Sequence, residues 1–223
     1  MKVSVVVPTF NEEKIIVGCL EAARAAGADE LLVSDGESTD RTVPLARRLA
    51  TVVRAPHGRA RQENLGAREA TGDWVLFCHA DVHLAPGAIE ELRRRASEDS
   101  GLVAGAFPLS FPPPFTTLAN VLNRIARWSE AYGGHRCPFF RRSSFLRLGG
   151  FRDDILEESV DMTQRIRSCG HVRMLSTVVE ASPRRFEALG VLPVLWYFAT
   201  CGLESAVGGR STRGEATFYP AVR

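Results

Sequence analysis

Apolar and polar positions along the first hundred residues follow two alternating periods. Lys2 to Pro8 is a β-branched run and predicts a buried strand. After Asn11-Glu12-Glu13, the spacing of Ile15, Ile16, Cys19, Leu20 and Ala23 predicts a helix. Strands are expected again at Glu30 to Ser34, at Thr51 to Arg54 near a sheet edge, and at 73 to 78. Helices fall between them. One is capped by Ser38 or Thr39 with Asp40 in its first turn, one runs from Gly58 to Ala70, and one covers 87 to 97. Strands that alternate with helices in this way predict an α/β fold, with a mostly parallel sheet and helices on both faces.

The second half is less regular. Leu102 to Leu109 predicts a strand, and Phe111-Pro112-Pro113-Pro114-Phe115 can be neither helix nor central strand. Thr117 to Tyr132 predicts an amphipathic helix with Leu118, Val121, Leu122, Ile125 and Trp128 on one side, ended by Gly133-Gly134. Further elements are expected as a strand at Cys137 to Arg141, a helix at Ser143 to Leu148, a helix at Glu157 to Cys169 and a strand at Val172 to Val179. Val191 to Leu203 reads as a core or surface-docking helix, with contact to a membrane surface as the lesser reading.

Length and composition narrow the class. The 223 residues suffice for one α/β domain, and a net charge of +2 gives no general attraction to nucleic acid. The five cysteines are scattered without a Cys-x-x-Cys pair, which predicts reduced thiols in a cytoplasmic protein rather than a disulfide framework or a zinc site. No signal peptide is expected, because Pro8 stops the first apolar run, and no stretch reaches the roughly 18 apolar residues of a spanning helix.

Chemistry collects where strands end. Asp35 follows the second strand, and His79 and Asp81 follow the fourth. Glu157-Glu158-Ser159-Val160-Asp161 starts a helix, and Arg184-Arg185 follows the last strand. An open parallel sheet brings such ends to one rim. A diphosphate needs its charge neutralised by a divalent metal on carboxylates or by arginines, and an attacking hydroxyl needs a base. The set suits group transfer from a nucleoside diphosphate, with Arg184 and Arg185 as a clamp. The plain readings are a turn-forming Asp35, a solvent-facing Arg61 and packing roles for Trp128 and Tyr132. His83, His135 and His171 read as surface or loop residues.

Four stretches in order resemble family two glycosyltransferases: 6–13 (VVPTFNEE), 34–40 (SDGESTD), 58–67 (GRARQENLGA) and 72–81 (GDWVLFCHAD). Gly149-Gly150-Phe151 and Glu158 to Arg165 resemble the same family's acceptor-side motifs. The His-Ala-Asp variant, Ser182 to Arg185 and Tyr219 to Arg223 resemble a bacterial subgroup labelled rSAM/selenodomain-associated transferase 2. The resemblance implies a GT-A fold, with 1–106 as the nucleotide-sugar half and 107–223 as the acceptor half. It implies an inverting transfer from a nucleotide-sugar donor to a hydroxyl acceptor, assisted by Mn²⁺ or Mg²⁺.

It further implies that Pro8, Thr9 and Glu12 line the nucleotide pocket and that Asp35 binds the base edge. Arg61 would lie near the base or diphosphate, and Ala80 and Asp81 would meet the ribose and the metal. Glu158 or Asp161 would be the catalytic base. Two positions depart from the family pattern. His79 replaces the first metal-motif aspartate, so Asp81 is the main metal ligand and His79 an accessory one, and His79→Asp is expected to keep or raise activity. Ser159 replaces the second member of the acidic pair. A catalytically degenerate nucleotide- or partner-binding protein of the same fold is the competing reading. A dinucleotide reductase is excluded because Pro8-Thr9-Phe10-Asn11 holds no G-x-G-x-x-G. A sugar-1-phosphate nucleotidyltransferase is discounted because Val5 to Phe10 lacks glycine.

Overall fold

In the first strand, β1 (Val3–Thr9), Val3, Val5 and Val7 enter one core layer and Val6 the other, as the two-residue period of a strand requires. The computed structural model describes residues 1–129, 132–155, 158–194 and 196, without the side chains of Trp128, Ser129 and Arg185. After β1 come α1 (Ile16–Ala25), β2 (Glu30–Asp35), α2 (Thr42–Ala46), β3 (Thr51–Arg54), α3 (Arg59–Glu69) and β4 (Trp74–Phe77). Next are β5 (Val82–His83), α4 (Ala88–Glu98), β6 (Leu102–Ala106), β7 (Leu109–Ser110), α5 (Thr116–Ser129) and β8 (Phe139–Arg141). The chain continues through α6 (Arg142–Arg147), α7 (Glu158–Ile166), β9 (His171–Met174), β10 (Val179–Ala181) and α8 (Arg184–Leu189).

Seven strands form one sheet in the order β3-β2-β1-β4-β8-β6-β9, in which only β8 runs antiparallel to its neighbours. The expected α/β class and the edge position of β3 are observed. Residues of α1 and α4 pack in the layer of Val3, Val5 and Val7, and residues of α3, α6 and α7 pack in the layer of Val6. Helices therefore cover both faces. The approach of α3 to β1 depends on Gly66, where a Cβ would lie 2.3 Å from Val6 Cγ1. Because β8 sits between β4 and β6, the strands of 1–106 and of 107–223 share one sheet.

Two expected strands are each broken in two. Leu102 to Leu109 becomes β6 and β7, separated at Phe107-Pro108, where proline cannot donate to a ladder. Val172 to Val179 becomes β9 and β10. The severed ends β7 and β10 join β5 in a three-stranded sheet ordered β5-β10-β7, which the apolar pattern does not reveal because each strand is only two or three residues long. Glu157, most of Val191 to Leu203, and Tyr219 to Arg223 lie outside the described residues.

Cys19, Cys78 and Cys137 are fully buried and Cys169 is partly exposed, all as free thiols. The Cys78 thiol, together with burial, pushes the Cys19 thiol well up, and Cys137 does the same for Cys78. The Arg147 guanidinium, 3.4 Å from Cys169 Sγ, pulls that thiol down. Alkylation requires thiolate, and a lowered pKa supplies more of it at a given pH. Iodoacetamide at pH 8, read by peptide mass mapping of the folded protein, is expected to modify Cys169 well before the three buried thiols.

Candidate functional site

The parallel strands β2, β1 and β4 deliver Asp35, Thr9 and the His79-Ala80-Asp81 turn to one rim of the sheet. The chain leaves β1 toward β2 on one side and returns to β4 on the other. The crevice between the ends of β1 and β4 is therefore the switch point at which such sheets bind ligands. Asp35 is 1 % exposed; it accepts hydrogen bonds from Thr9 Oγ1 at 3.3 Å and from the Ser38 backbone N–H at 3.0 Å. Gln62 Nε2 donates to the carbonyls of Thr9 (2.6 Å) and Ser34 (2.9 Å), tying α3 to the ends of both strands. Asn11, at a φ of 56°, accepts from Thr39 N–H, while Asn11 N–H donates to Ser38 Oγ. Asp40 accepts from the N–H groups of Glu13 and Thr42, so it staples the two loops. Rings of Phe10 and His57 meet edge to face beside this rim, 4.4 Å between centroids.

A second group forms around Arg184. The pairing of Ala181 with Val82 in the small sheet carries the following residues back to the turn before β5. Arg184 Nε donates to Asp81 Oδ2 at 3.0 Å, and its Nη1 and Nη2 lie 3.5 and 3.4 Å from the Glu12 carboxylate. Burial works against the guanidinium charge, but Asp81 and Glu12 outweigh it and raise its pKa. Two carboxylates thus converge on one cation at the switch point. Such hard oxygen donors suit Mg²⁺ or Mn²⁺, and Asp81 with Glu12 fits a divalent ion in donor type. Among the described residues, no cluster of three His, Cys, Asp or Glu would hold a metal. Pro8 is half-buried at the end of β1, and the Ala80 methyl is buried in the core.

The third group lies where the first turns of α3 and α7 meet. Arg59 grips Glu158 through two bonds, Nε to Oε1 at 2.5 Å and Nη2 to Oε2 at 2.8 Å; Glu158 is buried. One turn along α3, Glu63 is fully buried, with Oε1 3.6 Å from His79 Nε2. Burial pushes the Glu63 carboxyl up. The enclosed Nε2 of His79 therefore faces Glu63 and not the solvent side of the rim. His79→Asp would place a second buried carboxylate beside Glu63, an unfavourable pair that runs against the neutral or favourable effect expected from the resemblance, and the variant is expected to lose activity instead.

Asp161 is engaged differently. It accepts from Arg152 Nη1 at 3.1 Å and from Arg165 Nε at 2.5 Å, while Arg165 also donates to the carbonyls of Leu148 and Gly150. These bonds hold the Gly149-Gly150-Phe151 turn onto α7. Asn64 holds the same turn onto α3, donating to Phe151 O and accepting from Phe151 N–H, both at 2.8 Å. Asn64→Ala strands both backbone groups and is expected to cost about 1–3 kcal/mol in urea unfolding. Arg61 faces solvent, paired with Asp153 at 2.9 Å, both more than half exposed.

The structure brings Thr9, Glu12, Asp35, Asp81 and Arg184 to one rim and puts the buried Glu158, on α7, in a partly buried ion pair with Arg59. It does not place Arg61 or Asp161 free toward the rim. Sequence reasoning overlooked Arg59, Gln62, Glu63 and Asn64. For Arg59, Gln62 and Glu63 the signal was present in the helical spacing, since 59, 62, 63 and 66 share one face of α3 and three of those four carry polar side chains; Asn64 lies off that face.

The model of the family described as Glycosyl transferase family 2 matches residues 4–149. The chain belongs to that family. A "PGL/p-HBAD biosynthesis glycosyltransferase" of Mycobacterium bovis is 34% identical over 170 residues, covering 66% of this chain and 62% of that protein. The chain thus spans less than two thirds of that curated relative. Among solved structures, the mannosyltransferase PcManGT from Pyrobaculum calidifontis, in complex with GDP-Man and Mn²⁺, aligns with a TM-score of 0.63 and 28% identity. That alignment covers 80% of this chain and 56% of the mannosyltransferase. S. aureus TarS 1–349 with UDP-GlcNAc aligns at a TM-score of 0.64 and 18% identity, over 82% of this chain and 58% of TarS, a likeness of fold.

Proposed function

We infer that the chain transfers a sugar, with inversion, from a nucleoside diphosphate sugar to a hydroxyl acceptor. The observation that carries the reading is the convergence of Asp35, Thr9 and the Glu12–Arg184–Asp81 group at the crevice between β1 and β4. The likeness to a mannosyltransferase solved with GDP-Man and Mn²⁺ supports the donor class and the use of a divalent ion.

Asp35 keeps unused acceptor capacity beyond its bonds to Thr9 and Ser38, so it can take an N–H from the uracil or guanine edge. Pro8, Thr9 and Glu12 line the pocket beside it, and the backbone at Ala80 faces the ribose. Asp81 would hold Mn²⁺ or Mg²⁺, which when bound supplies positive charge to the diphosphate leaving group. Arg184 already lies on Asp81 and can turn to a diphosphate oxygen, with Arg185 following it in sequence as the second arm of the clamp.

Glu158 is the base that takes the acceptor proton, and Arg59 sets the direction of its carboxylate. Asp161 acts as the support of the Gly149–Phe151 turn, a role that its bonds to Arg152 and Arg165 favour. Asp161→Asn is then expected to lower stability by about 1–2 kcal/mol, as loss of charge-assisted bonds does at a partly exposed site, with turnover within a few fold of wild type. The experiment that tests the reading is release of nucleoside diphosphate from UDP- and GDP-sugars with Mn²⁺, compared between wild type and Asp81→Ala. Slow hydrolysis lost in the variant supports it; none with any donor favours the catalytically degenerate alternative.

The acceptor half is assigned to 107–223 on the position of Glu158. No helix among the described residues is long and apolar enough to cross a membrane. The expectation of peripheral membrane contact rests on 191–203, mostly outside the described residues, and the subgroup resemblance rests in part on 219–223, wholly outside them.

A further inference from the structure

Four buried polar atoms beside the proposed site have no hydrogen-bond partner: Glu63 Oε1 and Oε2, His79 Nε2 and Ser159 Oγ. They lie together. His79 Nε2 is 3.6 Å from Glu63 Oε1. A Cβ placed on Gly134 would lie 2.7 Å from His79 Nε2 and 3.5 Å from Ser159 Oγ, so the absence of a side chain at 134 lets both groups reach one spot. Glu63 comes from α3, His79 from the turn after β4, and Ser159 from the first turn of α7. An unpartnered carboxylate is expensive to bury, and a buried imidazole nitrogen needs a partner as well. A movement of a few tenths of an ångström closes the Glu63–His79 gap to a hydrogen bond.

We propose that Glu63 is a positioning residue that orients the His79 imidazole and through it the His79-Ala80-Asp81 turn, and that a carboxylate at 159 can do the same work from the opposite wall. The proposal rests on the donor-site reading of that turn. The enclosed Nε2–H of His79 donates to Glu63, which fixes the ring and with it the backbone one residue ahead of Ala80. Ser159 is a short neutral side chain at the same spot, which leaves room for the longer acid on α3. At 159 the chain departs from the acidic pair that its motif resembles, and Glu63 returns one carboxylate to the space.

The consequence is an interaction of opposite signs. Ser159→Asp alone crowds a second anion against Glu63 and is harmful. In a Glu63→Met background, which keeps the volume and removes the charge, the same Ser159→Asp is beneficial. Two variants that only damage packing would instead add.

The test reads the imidazole directly, in long-range ¹H–¹⁵N spectra of histidine-labelled protein, with His79 assigned from His79→Asn. The hydrogen-bonded Nε2–H signal is expected in wild type, absent in Glu63→Met and restored in Glu63→Met/Ser159→Asp. Affinity for UDP and GDP with MnCl₂, by calorimetry, is expected to fall about tenfold or more in Glu63→Met and in Ser159→Asp. The double variant should return to within a few fold of wild type. Glu63→Ala serves as the background if methionine prevents folding. A His79 spectrum unchanged by loss of Glu63, or a folded double variant no better than its single parent, overturns the proposal. If wild type binds neither nucleotide, the donor-site reading fails, while the imidazole spectra still decide the pairing.

Discussion

Glu158→Gln is expected to lower turnover by about 10²–10⁴-fold, the range for loss of a general base, while nucleoside diphosphate affinity stays nearly unchanged. The expectation follows from two contrasts with Asp161. Asp161 is held by two arginines, one of which also binds the carbonyls of the glycine turn, so its charge is committed to structure. Glu158 is held by the single guanidinium of Arg59, itself on α3, the helix that also ties the ends of β1 and β2. Glutamine keeps the shape but cannot accept a proton from the acceptor. It also weakens the partly buried pair with Arg59, so the variant should unfold at lower urea. The two effects separate experimentally, since turnover per folded molecule reports only the first. Single-turnover release of nucleoside diphosphate by folded Glu158→Gln, with Asp161→Asn alongside, checks the assignment. Normal release by Glu158→Gln and loss in Asp161→Asn would move the base to Asp161.

Asp81→Ala is expected to abolish metal-stimulated turnover, a loss of roughly 10²–10³-fold, comparable to removal of a group that stabilises developing negative charge. The same change removes the nearest anion from Arg184, which sits 3.0 Å from it. Arg184 then keeps only Glu12, and its guanidinium becomes more available to a diphosphate. Metal-independent nucleotide affinity should therefore fall less than metal-dependent affinity does. Calorimetric titration of UDP or GDP into wild type and Asp81→Ala, with MnCl₂ and with excess chelator, measures the difference. Equal affinities in wild type under both conditions would shift the neutralising role to the arginines.

The strand ends were legible because each of the first four strands is built on a short apolar or β-branched stretch and parallel order follows from the helices between them. Asp35 and Asp81 could be placed at one rim on that basis alone. Arg184 was recognised as a candidate clamp, but its contact with Asp81 depends on β5 and β10, strands of two and three residues that carry no periodic signal. The contacts of Glu63, Arg59 and Asn64 span 16, 99 and 87 positions respectively, and no local pattern reports partners at such separations. Asp161 looked equivalent to Glu158 because both lie on the first turn of one helix. What distinguishes them is Arg152 on the glycine-turn side and Arg59 on the α3 side, which only the packing reveals.

The central claim is that a nucleoside diphosphate binds at the crevice between β1 and β4, against Asp35. Thermal unfolding of wild type and Asp35→Ala with UDP or GDP and MnCl₂ tests it most directly. A ligand at a hundredfold excess over its dissociation constant adds about 2.7 kcal/mol, which for a chain of this length raises the midpoint by roughly 5–10 °C. The account predicts that rise for one of the two nucleotides in wild type and its loss in Asp35→Ala. No rise with either nucleotide, or an equal rise in the variant, would contradict it.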